Sequence, residues 1–499
     1  MGGKIIGGYK IARINFAALA TIITLNAASS LGADFSIFDA RVFECAEQLE
    51  LRELVDPLPS RQPWASGVLL SFPDSVKPTV LYQKNILRLA NPVDGHGRGA
   101  SVIDGWLSQG SSQQAVAGQF RTGLTFAYGK WSMAASYQGL FGDDHDYYYG
   151  YDWRGVRAKS DQVYLRWSEN KSFFQLGKDY YRYGLGMALA GNQPFESLQG
   201  AISLGENISL HGFSGKLDGW LRDSVFVNRY LAGHRIQFSA GFLQIGVSEF
   251  AIYGGPGRAL EPYYLLPLYI FLGEQDNRQI DDNIIWDLDF RMVLPPFRLQ
   301  AELMVDDFQI EKKSAGDLEP TEAGIGVRAD WGICSEPFYL STMIDYKMVT
   351  NWTFNQNKDW NRFLFEGQPL GPSEGNDFER ATWCLKAFGM NWQANTELYL
   401  LRCGQGNIDD PWTSPWVNDS TWTQSFPSGV IEKTTGVVIN LEYNLPIERF
   451  WGWSAVPRLY GRWDWKASKN AGHVSGEAAS DWNLKVGIGA DLSANIGRW

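Results

Sequence analysis

Catalysis near neutral pH needs a nucleophile, a base or a set of metal ligands, and the five histidines are the first residues to test. His96, His145, His211, His234 and His473 are scattered along the chain. None stands four residues from another and no H-x-x-E-H run occurs; the single G-x-S-x-G string, Gly371-Pro372-Ser373-Glu374-Gly375, lies in a polar connection with Pro beside the serine and no strand-to-helix pattern around it, so it forms no nucleophile elbow. A barrel phospholipase would need Ser and His side chains on neighbouring strands, and no motif marks such a pair. Cys45, Cys334, Cys384 and Cys403 show no C-x-x-C spacing, which excludes a zinc knuckle and a disulfide scaffold. Cys384 and Cys403 could face each other across a hairpin and oxidise outside the cytoplasm, or serve as ordinary apolar residues. The expectation is a non-enzymatic protein with no cofactor and no metal.

Binding chemistry is better represented. Residues 142–153 (GDDHDYYYGYDW) pack four carboxylates and five aromatics into one stretch, with Tyr147, Tyr148, Tyr149 and Trp153 the candidate contacts. Residues 351–377 carry Trp352 and Trp360 beside Phe363 and Phe365. Residues 404–424 carry Trp412, Trp416 and Trp422 among Asp409, Asp410 and Asp419. Flat rings beside carboxylates and amides suit sugars, whose C–H faces stack while their hydroxyls need acceptors. Interfacial anchoring and loop packing would use the same rings.

Composition narrows the class that holds such loops. The chain has 499 residues with 53 Gly, 21 Trp, 22 Tyr and 28 Phe, and a net charge of −11. It is too ring-rich for a disordered chain, and with no Lys/Arg tract nucleic acid is not an expected partner.

The elements that must position the loops are written in period two. Trp286, Leu288, Phe290, Met292 and Leu294 alternate with Asp287, Asp289, Arg291 and Val293. After Pro295–Pro296 the pattern resumes with Phe297, Leu299, Ala301, Leu303 and Val305 against Arg298, Gln300, Glu302, Met304 and Asp306. Successive side chains of a strand point to opposite faces, so one face is continuously apolar and the other charged. The same alternation runs through 120–138, 437–445, 459–466 and 482–496. Repeated strands of this kind, tight turns alternating with long polar loops, and rings at strand ends form the transmembrane β-barrel pattern. Lipid offers no hydrogen bonds, so a sheet crosses it only when closed. At roughly 20 to 24 residues per strand and connection, the chain from 115 onward yields an antiparallel barrel of about 18 strands. The expected partners are outer-membrane lipid and, because the terminal strand stops at Trp499, the barrel-insertion machinery during biogenesis.

The remaining segments differ. Residues 1–33, with Lys4, Lys10 and Arg13 ahead of the apolar run 16–25, read as a cleaved export signal that takes the chain out of the cytoplasm; together with the barrel pattern this places it in the outer membrane of a Gram-negative cell. Residues 34–113 read as a small helical module on the periplasmic side or in the barrel mouth, because 42–55 favours helix and Pro57, Pro59 and Pro63 follow. The barrel is assigned to 114–499.

Between 177 and 307 the sequence resembles the Wzi family of capsule-assembly proteins. The match is carried by Asn228-Arg229-Tyr230-Leu231-Ala232-Gly233-His234-Arg235 and by Ser248-Glu249 with Ile252-Tyr253. It continues through Glu261-Pro262-Tyr263-Tyr264-Leu265-Leu266-Pro267-Leu268, Asp281-Asp282-Asn283 and Glu302 with Asp306-Asp307. The resemblance implies an outer-membrane barrel acting as a lectin that holds capsular polysaccharide at the cell surface. It also implies that Arg182, Arg229, Tyr230, His234, Arg235, Glu249, Tyr253, Asn283, Glu302, Asp306 and Asp307 face the lumen. The charged members could form a ladder across the interior, or could merely pair to hold a plug, because charges out of water must pair. The rival to a polysaccharide binder is a diffusion channel for small or sugar solutes.

Overall fold

The computed structural model describes residues 47–48, 50–51, 96–111, 114–142, 152–169, 171–222, 224–307, 318–335, 338–417, 419, 421–446, 448–450 and 453–498. Eighteen strands form one closed wall. They are β1 (His96–Gly110), β2 (Gln114–Tyr128), β3 (Trp131–Gly142), β4 (Val156–Glu169), β5 (Ser172–Asp179) and β6 (Phe195–Leu204). Next come β7 (Ile208–Lys216), β8 (Val225–Ala240), β9 (Leu243–Pro256), β10 (Asn283–Leu294), β11 (Phe297–Asp307) and β12 (Glu322–Ser335). The wall ends with β13 (Phe338–Val349), β14 (Phe378–Phe388), β15 (Trp392–Cys403), β16 (Glu432–Asn444), β17 (Trp453–Lys469) and β18 (Ala478–Arg498).

Each strand runs antiparallel to the next, and β18 pairs with β1 from Gly110↔Asn483 down to Gly97↔Ile496. A bulge then shifts the register to His96↔Arg498. Closure satisfies the backbone of every wall strand and leaves no edge for lipid to solvate.

The barrel wall begins at His96, inside the stretch assigned from sequence to the helical module. The reason is compositional. The outward row of β1 is Gly99, Ser101, Ile103, Gly105 and Leu107, so small residues hide the apolar alternation that the other strands display. The export signal and most of the helical module lie outside the described residues.

The two faces follow the expected period. On β10, Trp286, Leu288 and Leu294 are exposed outward, whereas Asp287, Asp289, Arg291 and Val293 are buried inward. Tyr128, Trp131, Phe297, Trp331, Phe338 and Tyr443 ring the end with the short turns. Phe297 stacks on Trp331 at 5.8 Å. Such a belt with an aromatic girdle fits a bilayer, and the end with the long connections is then extracellular. No described helix is long and apolar enough to cross a membrane.

The interior is not uniformly wet. The connection from β5 to β6 turns into the lumen, and Tyr181, Tyr183, Met187 and Leu189 pack there against inward Phe195, Phe213 and Phe250. Phe354, Phe363 and Leu370, from the connection between β13 and β14, join the same core. Closer to the short turns a charged layer replaces it. Arg298 meets Asp330 at 3.1 Å and Glu47 at 3.2 Å, and Arg291 pairs with Glu50. Glu47, Gln48 and Glu50 are helical, so this piece of the helical module docks in the mouth at the short-turn end. Burial alone would raise the Glu47 carboxyl. The Arg298 and Arg328 guanidiniums outweigh that cost and hold it down at about 2.

Candidate functional site

The residues singled out by the sequence separate into three environments. The inward ones are structural clamps. Glu302 accepts the backbone N–H groups of Met187 at 2.8 Å, Ala188 at 3.3 Å and Leu185, pinning the infolded connection to β11. Gly184 turns there at φ +50°, and a Cβ would meet the Glu302 carboxylate at 2.5 Å. Arg235, fully buried, is held by Asp289 and donates to Ser248 Oγ at 3.1 Å beneath the Tyr183 ring. Arg229 pairs with Asp218 at 2.8 Å and donates to the carbonyls of Trp360 at 2.8 Å and Arg362 at 2.5 Å. Asn283 donates to the Asn361 carbonyl at 3.2 Å, Asp306 accepts Phe354 N–H at 2.5 Å, and Arg182 donates to the Leu185 carbonyl at 3.4 Å. These contacts tie the infolded segments to the wall. The Asp307 side chain lies outside the described residues.

Tyr230, His234, Glu249 and Tyr253 are not in the lumen. They occupy the outward face, in the same rows as the exposed Ile236 and Val247. They are buried because the connection between β9 and β10 folds down over the outer wall as a strap. Its helix α1 (Phe271–Arg278) starts on Glu249, which accepts the N–H groups of Phe271 at 2.7 Å and Leu272 at 2.9 Å. A carboxylate at that end complements the helix dipole. His234 stands opposite Glu249 at 3.2 Å, with the Phe271 ring 4.3 Å away. Tyr230, Tyr253 and Tyr264 stack in sequence at 5.2 and 4.3 Å, and Tyr264 donates to Asp282 at 2.7 Å. Inward and outward rows share the same spacing, and a charged residue under a strap reads in sequence like one in a lumen.

The third environment is the extracellular rim. Trp352 comes from one long connection and Trp412, Trp416 and Trp422 from the next. Trp352 contacts Trp412 and Trp416 edge-on at 5.3 Å each, Trp412 meets Trp416 at 5.7 Å, and Trp416 meets Trp422 at 5.5 Å. Trp416 is 7% exposed and acts as the core of the cluster, while the other three are half-exposed. Exposed Asp409, Asp410 and Asp419 lie on the same segment. Thr421, through its hydroxyl and its N–H, holds the Asp419 carboxyl below the ordinary range, so it stays an acceptor.

The other aromatic candidates stand apart. Trp360 lies by Gly255 and beneath Arg222. Trp153 is an exposed ring at a hairpin tip, with Arg154 over it at 5.5 Å. Tyr147, Tyr148 and Tyr149 lie outside the described residues.

Sequence reasoning missed the residue that assembles the rim. Asp377, fully buried at φ +56°, accepts Gly406 N–H at 2.9 Å and both the N–H (2.9 Å) and the hydroxyl (2.5 Å) of Ser428. It ties both ends of the tryptophan segment to the top of β14. Its only signal is an Asn-Asp pair after Gly375, where a short polar residue tolerates the left-handed region. Cys384 and Cys403 do not meet. Cys384 stands opposite Glu397 and Cys403 opposite Phe378, so no disulfide joins them.

A closed, lipid-belted antiparallel barrel with a segment folded inside it defines the class: an outer-membrane β-barrel. No family model matches the chain, and no sequence among curated proteins does. Among solved structures it is similar to Wzi of Escherichia coli, an outer-membrane protein involved in group 1 capsule assembly and described as a carbohydrate-binding β-barrel. The TM-score is 0.60 at 12% identity, over 92% of this chain and 99% of that one. OccD3 of Pseudomonas aeruginosa follows at TM-score 0.46 and 9% identity, over 85% of this chain and 100% of that one. OccAB1 of Acinetobacter baumannii gives 0.44 and 11%, over 80% and 97%. At these identities the likeness is one of fold, and the resemblance to Wzi holds at that level.

Proposed function

We propose that this chain is a non-enzymatic outer-membrane barrel that binds surface polysaccharide at its extracellular rim and helps retain or assemble it there. The observation that carries the reading is the meeting of four tryptophans from two connections above a filled section of lumen, with exposed carboxylates beside three half-exposed rings. Sugar C–H faces pack on such rings, and the aspartates accept from hydroxyls. The filled wall from β5 to β14 favours a binder over a diffusion channel. Export by a signal within residues 1–33 and delivery to the insertion machinery belong to the same proposal. Replacing Trp352, Trp412 and Trp422 together with Ala is expected to release polysaccharide from cells into the medium, while the barrel still inserts and runs as a heat-modifiable band. An unchanged cell-bound fraction removes the rim from the mechanism.

A further inference from the structure

The lumen has a second, unfilled side. Along β1–β3 and β15–β18 the inward side chains surround a cavity of about 490 Å³. Five amides, Gln119, Gln138, Gln393, Asn395 and Asn440, share its lining with charged side chains. Its ions neutralise one another. Arg121 pairs with Asp161 at 3.1 Å, Arg462 with Asp464 at 2.8 Å, and Arg458 is held between Asp104 and Asp491. Gln393 donates to Glu442 at 3.3 Å, and the Lys485 ammonium lies over the Trp106 ring at 4.2 Å. Trp106 lines the same cavity and is 6% exposed, yet its indole N–H finds no acceptor among the described residues.

We infer that this cavity binds a neutral, hydroxyl-rich solute, a short saccharide by chemical class. An amide both donates and accepts, which matches a hydroxyl that does the same. With Asp161, Asp464 and Asp491 beside the lining, four cations face five carboxylates, so the charge is nearly balanced and offers an acidic ligand no excess of cations. A buried donor without a partner costs free energy, and a small turn of the Trp106 ring would bring its N–H to a sugar oxygen in the cavity. The volume lies within the range of roughly 300–1,000 Å³ usual for small-molecule sites. The inference stands on the seam side of the lumen and does not depend on the rim reading.

The test uses the full refolded chain in amine-oxide micelles, titrated calorimetrically with isomaltotriose, a neutral trisaccharide, and separately with trigalacturonate, its acidic counterpart. Saturable binding of isomaltotriose is expected, at least about tenfold tighter than that of trigalacturonate. Trp106→Phe keeps a ring and removes the donor, and is expected to weaken binding about fivefold, the worth of one neutral hydrogen bond. The double variant Gln393→Ala/Asn440→Ala, checked for heat-modifiability, is expected to weaken it further. The rim variant lacking Trp352, Trp412 and Trp422 should keep the trisaccharide affinity, so the two sites fail separately. The inference is overturned by no saturable binding, by equal affinity for the acidic sugar, by wild-type affinity in both lumen variants, or by loss of binding in the rim variant.

Discussion

The two sides of the lumen obey the same period-two rule and reach opposite states. From β5 to β14 the inward rows near the extracellular end carry Phe195, Phe213, Leu231, Phe250 and Ile285, which draw chain inside until the space is dry. Along the seam, at β1–β3 and β15–β18, the inward rows carry amides and self-paired ions, and the space stays open. Apolar residues on both faces of a barrel strand therefore mark where a barrel is plugged. Polar residues on one face mark where it is wet.

Breaking one buried ion pair on each side sharpens the contrast. Asp289→Ala leaves Arg235 fully buried without its carboxylate and is expected to cost about 3–5 kcal/mol, read from urea unfolding in micelles. A loss below about 1 kcal/mol would show that the filled side is not held by this pair. At the rim, Trp416→Ala removes the core ring of the cluster and is expected to cost about 3 kcal/mol locally, with protease nicking between 404 and 431. Trp412→Ala should leave that segment resistant. The docked helical residues offer a pH test. Glu47 has a folded pKa of about 2, below its ordinary value of 4.5, so its contribution is present above about pH 4.5 and lost as pH falls toward 2. The gap in thermal midpoint between wild type and Glu47→Gln should accordingly be full at pH 7 and close near pH 2. A gap independent of pH would mean that the Arg298 contact does not tie the helix down. The smallest effect belongs to the seam. Asp491→Ala leaves Arg458 with Asp104, and about 1.5 kcal/mol is expected from the same urea experiment. A loss as large as that of Asp289→Ala would erase the distinction between the two sides.

How much of this was legible in the sequence depended on the row. The hairpin of β10 and β11 could be read residue by residue, because Trp286, Leu288, Phe290, Met292 and Leu294 share the outward row while Asp287, Asp289 and Arg291 alternate with them inward. β1 could not, since Gly and Ser make up most of its outward row. The strap was invisible for a different reason: the resemblance sends Tyr230 and Tyr253 to the lumen, and spacing alone does not separate an inward row from an outward one that a connection covers. At the rim the tryptophans are conspicuous as residues, but the meeting of Trp352 with Trp412 and Trp416 depends on Asp377 and on two connections separated in sequence. Spacing rules carry no information about such contacts.

The strap gives the bilayer a mechanical part to play. Lifted away, it would turn the Glu249 carboxylate and the His234 ring toward hydrocarbon and strip α1 of its N-terminal anion, a change lipid opposes strongly. The surrounding acyl chains would thus act as a latch in addition to the hydrogen bonds that Glu249 makes to α1. Extraction into short-chain detergent is where that latch would first slip.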